Sequence, residues 1–430
     1  MGVSSCSAQW NSFFGRGGVP LLEFQASDGD YFPGVIGSFF EGSEYYSNRY
    51  PYLNEAKKNI RLVQIKQLNS AVGAENLNEA NLSWSADGMY LSYETVDNNN
   101  RKIQVKNLTG DYTRDLYVVS KGSNNFLNGM VNRYVHSYNS GLSWSRGSTQ
   151  FAFMSNGGVG EYNIYIGAVG VKEEAVLKSP SKDGYANWNP QSNEIAFVSA
   201  RSGNGDLYLL NVDNKKLARL TKGNEVDIFP QWFPDGRGLV YSSGNASTHN
   251  IKVLLRDQDG RWVKHYKVTN WRRDDLRPTV SPDGKLIAFY SSARTQNFNR
   301  SMKWNIHVVP LDGKSYSSKE LNSMIVARNV VVDLNTGPAW SPDGRKIFYV
   351  KNDPKEFNPI FGYDLFTGRV YQLKTGTRMN RDLLISQLGI LSFRAQVGVW
   401  DRVFVALTNQ GLQLQGLNHY LDSRIHYETF

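Results

Sequence analysis

Six polar residues of the chain share one offset. Glu79, Asn139, Asp183, Asp227, Asp275 and Asn335 each stand five positions before the centre of a recurring motif, which is Trp in five copies and Val280 in one. Four of them carry carboxylates and two carry amides. Brought to one point, such oxygens would suit Ca²⁺ or a cationic segment of a partner. The competing reading is local: Asp and Asn bond their own backbone and cap turns. No other constellation carries chemistry. The six histidines (His136, His249, His265, His307, His419 and His426) neither share an offset nor show the spacing of a zinc pair. A Gly-x-Ser-x-Gly elbow is absent, as is a glycine-rich phosphate loop before a helix. No catalytic residue is nominated, the chain reads as a non-enzyme, and Ca²⁺ is the one cofactor to consider.

The elements that must position these residues are hairpins. Pro338-Ala339-Trp340-Ser341-Pro342-Asp343-Gly344 leads into Arg345-Lys346-Ile347-Phe348-Tyr349-Val350, a strand, a tight turn and a second strand. Pro presets φ, Asp accepts backbone hydrogen bonds, and Gly supplies positive φ. The unit recurs around Trp84, Trp144, Trp188, Trp232 and Val280, with a worn seventh copy assigned to Leu391-Ser392-Phe393-Arg394. The shorter spacings match the ~40–50 residues of a four-stranded propeller blade. From the strand that holds Trp188 to Thr221, four short strands alternate with Gly, Asn and Asp. One blade cannot cover its own faces; a ring of blades can. The fold class is therefore all-β, a propeller with seven blades favoured over six. Aligned positions of a propeller form a ring about its axis, so the six polar residues are expected to rim one mouth of the channel. The repeated Trp residues read as packing wedges and the Asp-Gly pairs as turn formers.

Trp-Ser-Pro-Asp-Gly, an apolar strand, and then Ser199-Ala200-Arg201-Ser202-Gly203-Asn204-Gly205-Asp206-Leu207-Tyr208 together resemble the propeller repeat of the TolB type. The resemblance covers roughly residues 60 to 430. It implies a bacterial envelope setting, in the periplasm, and a protein-binding or scaffold role rather than catalysis. A related propeller serves as a metal-dependent polysaccharide lyase, and propellers of this repeat type often precede a peptidase domain. A carbohydrate-active or hydrolytic enzyme is therefore the alternative. In the TolB family a folded α/β domain precedes the propeller; residues 1–58 are too short for it and lack its pattern.

The rest of the chain bounds these readings. Of 430 residues, 20% are charged and 13% aromatic, which suits large contacts between blades. The net charge of +9 is spread along the whole length. Nucleic-acid binders more often cluster it on one face, so nucleic acid is set aside; an anionic envelope surface or an acidic protein partner suits diffuse basicity at least as well. No run of ~18 apolar residues is long enough to span a membrane. Cys6 is the sole cysteine, which excludes an intrachain disulfide. Val3-Ser4-Ser5-Cys6 resembles a bacterial lipobox, so Cys6 reads either as the lipid anchor of an outer-membrane lipoprotein or as a chance residue. Residues 1–58 form an aromatic-rich arm, and 59–430 the propeller. Ile60–Ile65, read as a third blade strand, and Asp401–Leu407, read as a second or third, are expected to close the ring in one shared blade. Lys121–Tyr138, Arg294–Trp304 and Ser315–Val331 read as loop insertions, where binding often resides.

Overall fold

The recurring turn is closed by its own side chains. In Ser341–Gly344 the Ser341 hydroxyl donates to Asp343, which also accepts the Arg345 N–H at 3.0 Å. Gly344 takes φ +68°, and its N–H reaches the Ser341 carbonyl at 2.9 Å. The turns at Ser85 and Ser281 repeat the arrangement, with hydroxyl-to-carboxylate distances of 2.5 and 2.6 Å. Each fixes the register of the strand pair that follows.

The computed structural model describes residues 23–25, 31–33, 62–68, 77–97, 100–107, 113–116, 139–156, 162–168, 171–177, 179–245, 248–293 and 303–408. Among these, seven four-stranded antiparallel sheets make a seven-bladed propeller. The innermost strands, blades 1 to 7, are Asn78–Trp84, Asn139–Trp144, Asp183–Trp188, Val226–Trp232, Asp275–Val280, Ala339–Trp340 and Arg378–Ile385. Six blades use four strands consecutive in sequence. Blade 7 takes its fourth, outermost strand, Leu62–Gln67, from the start of the chain, pairing Ile65 with Ala406 and Lys66 with Val405. Leu62–Gln67 is thus a fourth strand rather than a third, and Trp400–Thr408 is the third.

Five repeated tryptophans wedge the blades. The Nε1–H of Trp84 donates to Ser392 Oγ of blade 7 at 2.9 Å, that of Trp232 to the Asn187 carbonyl of blade 3 at 3.0 Å, and that of Trp340 to Thr279 Oγ1 of blade 5 at 3.1 Å. Trp144 and Trp188 are buried without a partner for Nε1. A hydrogen bond across blades and burial of the ring are packing roles.

A second repeated device is a bulge. Three positions before the Trp, the residues Asn81, Gly141, Tyr185, Phe229, Arg277, Gly337 and Asp382 have φ between +52° and +78°. In blades 1 to 5 and in blade 7 two inner-strand residues there face one residue of the second strand. That one residue is Tyr93, Phe153, Phe197, Tyr241, Phe289 or Phe393, each no more than 1% exposed. A bulge sharpens strand twist and re-aims the side chain it carries. A large buried ring behind it holds the distortion in place.

The seventh copy must be moved. Phe393 occupies the place of Phe197, not of Trp188. The residue equivalent to Trp188 is Ile385, which pairs with Leu391 as Trp188 pairs with Ile195. The turn is Ser386–Gly389, closed by the Gly389 N–H on the Ser386 carbonyl at 2.9 Å. Aliphatic Ile385 and a turn lacking Asp hid this copy.

Of the three expected insertions, Ser315–Val331 holds the helix Ser318–Ser323, capped by Ser317 and Glu320, and then Ile325–Ala327, the fourth strand of blade 5. Lys121–Tyr138 and most of Arg294–Trp304 lie outside the described residues. So does the arm, apart from Glu23–Gln25 and Tyr31–Pro33, which pair antiparallel with Phe24 opposite Phe32. Cys6 also lies outside them.

Candidate functional site at the propeller axis

The offset-five acids sit at the starts of inner strands, and all four are buried: Glu79 0%, Asp183 1%, Asp227 5% and Asp275 0% exposed. Each is held from its own blade or the next. Glu79 accepts the Val403 N–H of blade 7 at 2.7 Å. Asp183 accepts from Arg201 Nη2 at 2.9 and 3.1 Å. Asp275 accepts from Trp271 Nε1 and from Ser291 Oγ, both at 2.6 Å. Asp227 lies by the Ser243 and Thr221 hydroxyls, and its Oδ1 has no hydrogen-bond partner. Burial raises the pKa of Asp183, Asp227 and Asp275, the last to about 6, against the pull of these hydrogen bonds. Asn139 opens the inner strand of blade 2. Asn335 lies exposed in a turn before the inner strand of blade 6, its N–H donating to Asp333 Oδ1 at 2.7 Å. Relative to Ile385, the fifth position back in blade 7 is Asn380, whose Nδ2 donates to the Asn358 carbonyl at 2.9 Å. Among the described residues no group of three or more His, Cys, Asp or Glu is placed to hold a metal ion.

The convergence occurs two residues further on, at the bulge. Tyr185 of blade 3 meets Phe229 of blade 4 edge to face, with ring centroids 4.9 Å apart. The Arg277 guanidinium of blade 5 lies 4.3 Å from the Phe229 ring centre and 5.8 Å from that of Tyr185. Blade 4 separates blades 3 and 5, so side chains from those two blades meet only near the axis. Phe229 is buried, Arg277 is partly accessible, and Tyr185 is 46% exposed. Across the ring, Asn81 of blade 1 donates to Glu94 Oε2 at 2.7 Å and to Ser140 Oγ of blade 2 at 3.3 Å.

Two carboxylates complete the axial region. Asp333 accepts from the Asn335 N–H and from the Thr336 hydroxyl. Asp382, at the bulge of blade 7, pairs with Arg394 Nε at 2.7 Å, while Arg394 Nη1 reaches Asp401 at 3.0 Å. Burial first, and then the negative charge of Asp333, push Asp382 up to about 7, opposed by Arg394 and Arg381. Its proton is therefore exchangeable near neutral pH. Burial lowers Arg277 to about 10, opposed mainly by Asp333.

His307 is inside blade 5. It stacks on Phe289 at 5.4 Å and meets Trp271 edge-on at 5.5 Å, and neither ring nitrogen has a hydrogen-bond partner. Burial holds its pKa at about 3, so it is neutral and structural. The axial residues were missed because their types differ from blade to blade. Only the shared bulge, three places before each Trp, marks them, and Tyr185, Phe229 and Arg277 in that column were the available signal.

A family model for the TolB beta propeller domain matches residues 81–315. The chain belongs to the TolB β-propeller family. The Tol-Pal system protein TolB of Francisella tularensis is 25% identical over 265 residues, 60% of this chain and 53% of that protein. The chain spans about half the length of the sequence relatives it matches. In three dimensions it is similar to a puromycin-hydrolyzing peptidase of Mycobacterium tuberculosis, with a TM-score of 0.56 at 14% identity, over 82% of this chain and 55% of that one. It is also similar to an oligogalacturonate lyase of Vibrio parahaemolyticus, with a TM-score of 0.54 at 12% identity, over 81% of this chain and 97% of that one. At these identities the likeness is one of fold, and the TolB propeller shares it with hydrolase and lyase propellers. No helix among the described residues is long and apolar enough to cross a membrane.

Proposed function

We propose that this TolB-family propeller is a non-enzymatic binding module of the bacterial envelope, periplasmic, that takes a segment of a protein partner at its axis. The observation that carries the reading is the cluster of Tyr185, Phe229 and Arg277. Three consecutive blades meet there, with the open ring of Tyr185 and the Arg277 cation packed on buried Phe229, on bulges braced by buried rings. Such a surface is preformed, so little ordering cost opposes binding. Tyr and Arg are also the residues that most often dominate protein contacts. The offset-five acids Glu79, Asp183, Asp227 and Asp275 enter this reading as braces of the strand ends, with Asn139 and Asn335 at the same rim. The resemblance to a Tol-Pal protein supports the envelope setting. Lipidation of Cys6 would anchor the module to the outer membrane. Mass spectrometry of protein from its native host should then find a diacylglyceryl group on Cys6, and an unmodified Cys6 would exclude the anchor.

The test uses the full chain as bait in an envelope extract. Wild type should retain one protein in stoichiometric amount, and Tyr185→Ala should lose it. Retention unchanged by Tyr185→Ala would sink the axial site.

The second reading is a carbohydrate-active or hydrolytic enzyme. It is favoured by Asp382, a buried carboxyl raised to about 7 beside a second carboxylate, the arrangement a general acid requires. Turnover of oligogalacturonates or of peptide amides, lost in both Asp382→Asn and Asp333→Asn, would replace the binding reading.

A further inference from the structure

Five arginines of blades 3, 4, 6 and 7 are paired with carboxylates. Arg201 pairs with Asp183, Arg219 with Asp206, Arg256 with Glu194, Arg345 with Asp364 and Arg394 with Asp382, at 2.7 to 3.0 Å. Arg277 is not among them. Its Nε donates to the Leu334 carbonyl, and its plane rests on Phe229. Among the described residues no carboxylate pairs with it. Asp333 is near enough to act on its charge, and its oxygens accept from Asn335 and Thr336. The terminal nitrogens of Arg277 are thus a fork of donors at the axis, partly accessible to solvent and without a paired carboxylate. A guanidinium fork matches a carboxylate in shape as well as charge. Beside it, Tyr185 leaves almost half its surface open.

We propose that Arg277 is the anchor of a carboxylate-binding subsite, in which an acidic peptide segment places a carboxylate on the guanidinium fork and an apolar group against Tyr185. This rests on the binding-module reading and specifies its ligand. The fork fixes the carboxylate, Phe229 holds the guanidinium flat, and the Leu334 carbonyl fixes its rotation. Arg277 itself sits at φ +52°, so the inner-strand bulge aims it.

The probes are 3-phenylpropanoate and its amide, 3-phenylpropanamide, titrated into the full chain by calorimetry at low salt. The acid should bind at least tenfold more tightly than the amide. Arg277→Gln should bring the acid down to the level of the amide, and Arg277→Lys should recover only part, since a point charge lacks the fork. Arg219→Gln, in a pair with Asp206, should leave binding unchanged. Equal binding of acid and amide, or full binding by Arg277→Gln, overturns the proposal. Should that variant fail to fold, phenylglyoxal labelling of wild type decides: 3-phenylpropanoate should protect Arg277 and the amide should not, and the reverse or no difference overturns it. Displacement of the probe by hexaglutamate supports the peptide assignment, and displacement only by trigalacturonate overturns it. Acid binding without any envelope protein captured would sink the module reading alone. Capture of a partner equally by Arg277→Gln and wild type would sink the subsite alone.

Discussion

Replacing Asp382 by Asn should make the protein more stable at alkaline than at acid pH relative to wild type. Asp382 is 6% exposed and faces Asp333, Arg394 and Arg381, with Asp401 on the far side of Arg394. Its folded pKa stands at about 7 against 3.8 for the free side chain. Between those values the folded chain keeps a proton that the unfolded chain has lost. The contribution is therefore fully present below pH 3.8 and is lost as pH rises through about 7. At about 1.4 kcal/mol per pH unit, the whole window is worth about 4 kcal/mol, an upper bound. Asn cannot titrate, so Asp382→Asn removes the slope. It also removes the ion pair to Arg394, but Arg394 keeps Asp401 at 3.0 Å. The assay is urea unfolding of both proteins from pH 4 to 9. The stability of the variant minus that of wild type should climb by about 2–4 kcal/mol between pH 5 and pH 8. A difference that is flat, or that falls with pH, would refute both the raised pKa and its assignment to burial beside Asp333.

Other outcomes follow from the same geometry. Gly337→Ala would place a Cβ 2.8 Å from Thr279 Cγ2 and 2.9 Å from the Arg277 carbonyl, at φ +78°. It should cost about 1–3 kcal/mol by denaturant unfolding, while Gly376→Ala, with open space around the added carbon, should cost less. Phe393→Ala empties a fully buried site behind the blade 7 bulge and should cost about 3–5 kcal/mol; a cost under ~1 kcal/mol would contradict the placement of the seventh repeat. His307→Phe removes two buried nitrogens without partners and a group whose folded pKa, about 3, lies below its ordinary 6.5. Wild type loses stability through this group as pH falls below 6.5, so the gain in melting temperature of the variant over wild type should be larger at pH 5 than at pH 8.

The column of tryptophans and the Ser-x-Asp-Gly turns are local devices, and they were legible because the residues that form them stand within a few positions of one another. Repetition then implied the ring, since a blade with two uncovered faces has no other way to bury them. The seventh copy was misplaced because Ile385 and a turn without Asp break the local signature, and Phe393 offered an aromatic in its place. The four strands of blade 3 could be read directly. The pairing of Leu62–Gln67 with Trp400–Thr408 spans nearly the whole described chain, and its register is set by the closed ring.

The axial site belongs to the tertiary structure. Tyr185, Phe229 and Arg277 are 44 and 48 residues apart, and nothing near any of them in sequence says that they touch. Their side chains meet because their three inner strands bulge at the same place and the bulges face a common axis. The offset-five acids show the converse. Their spacing is as regular as that of the bulges, but their side chains turn into serines, an arginine and neighbouring backbone, where burial is compensated by hydrogen bonds. Sequence determined which positions repeat; the direction in which each repeated side chain points was decided by the pleat and the bulge, which exist only once the strands are paired.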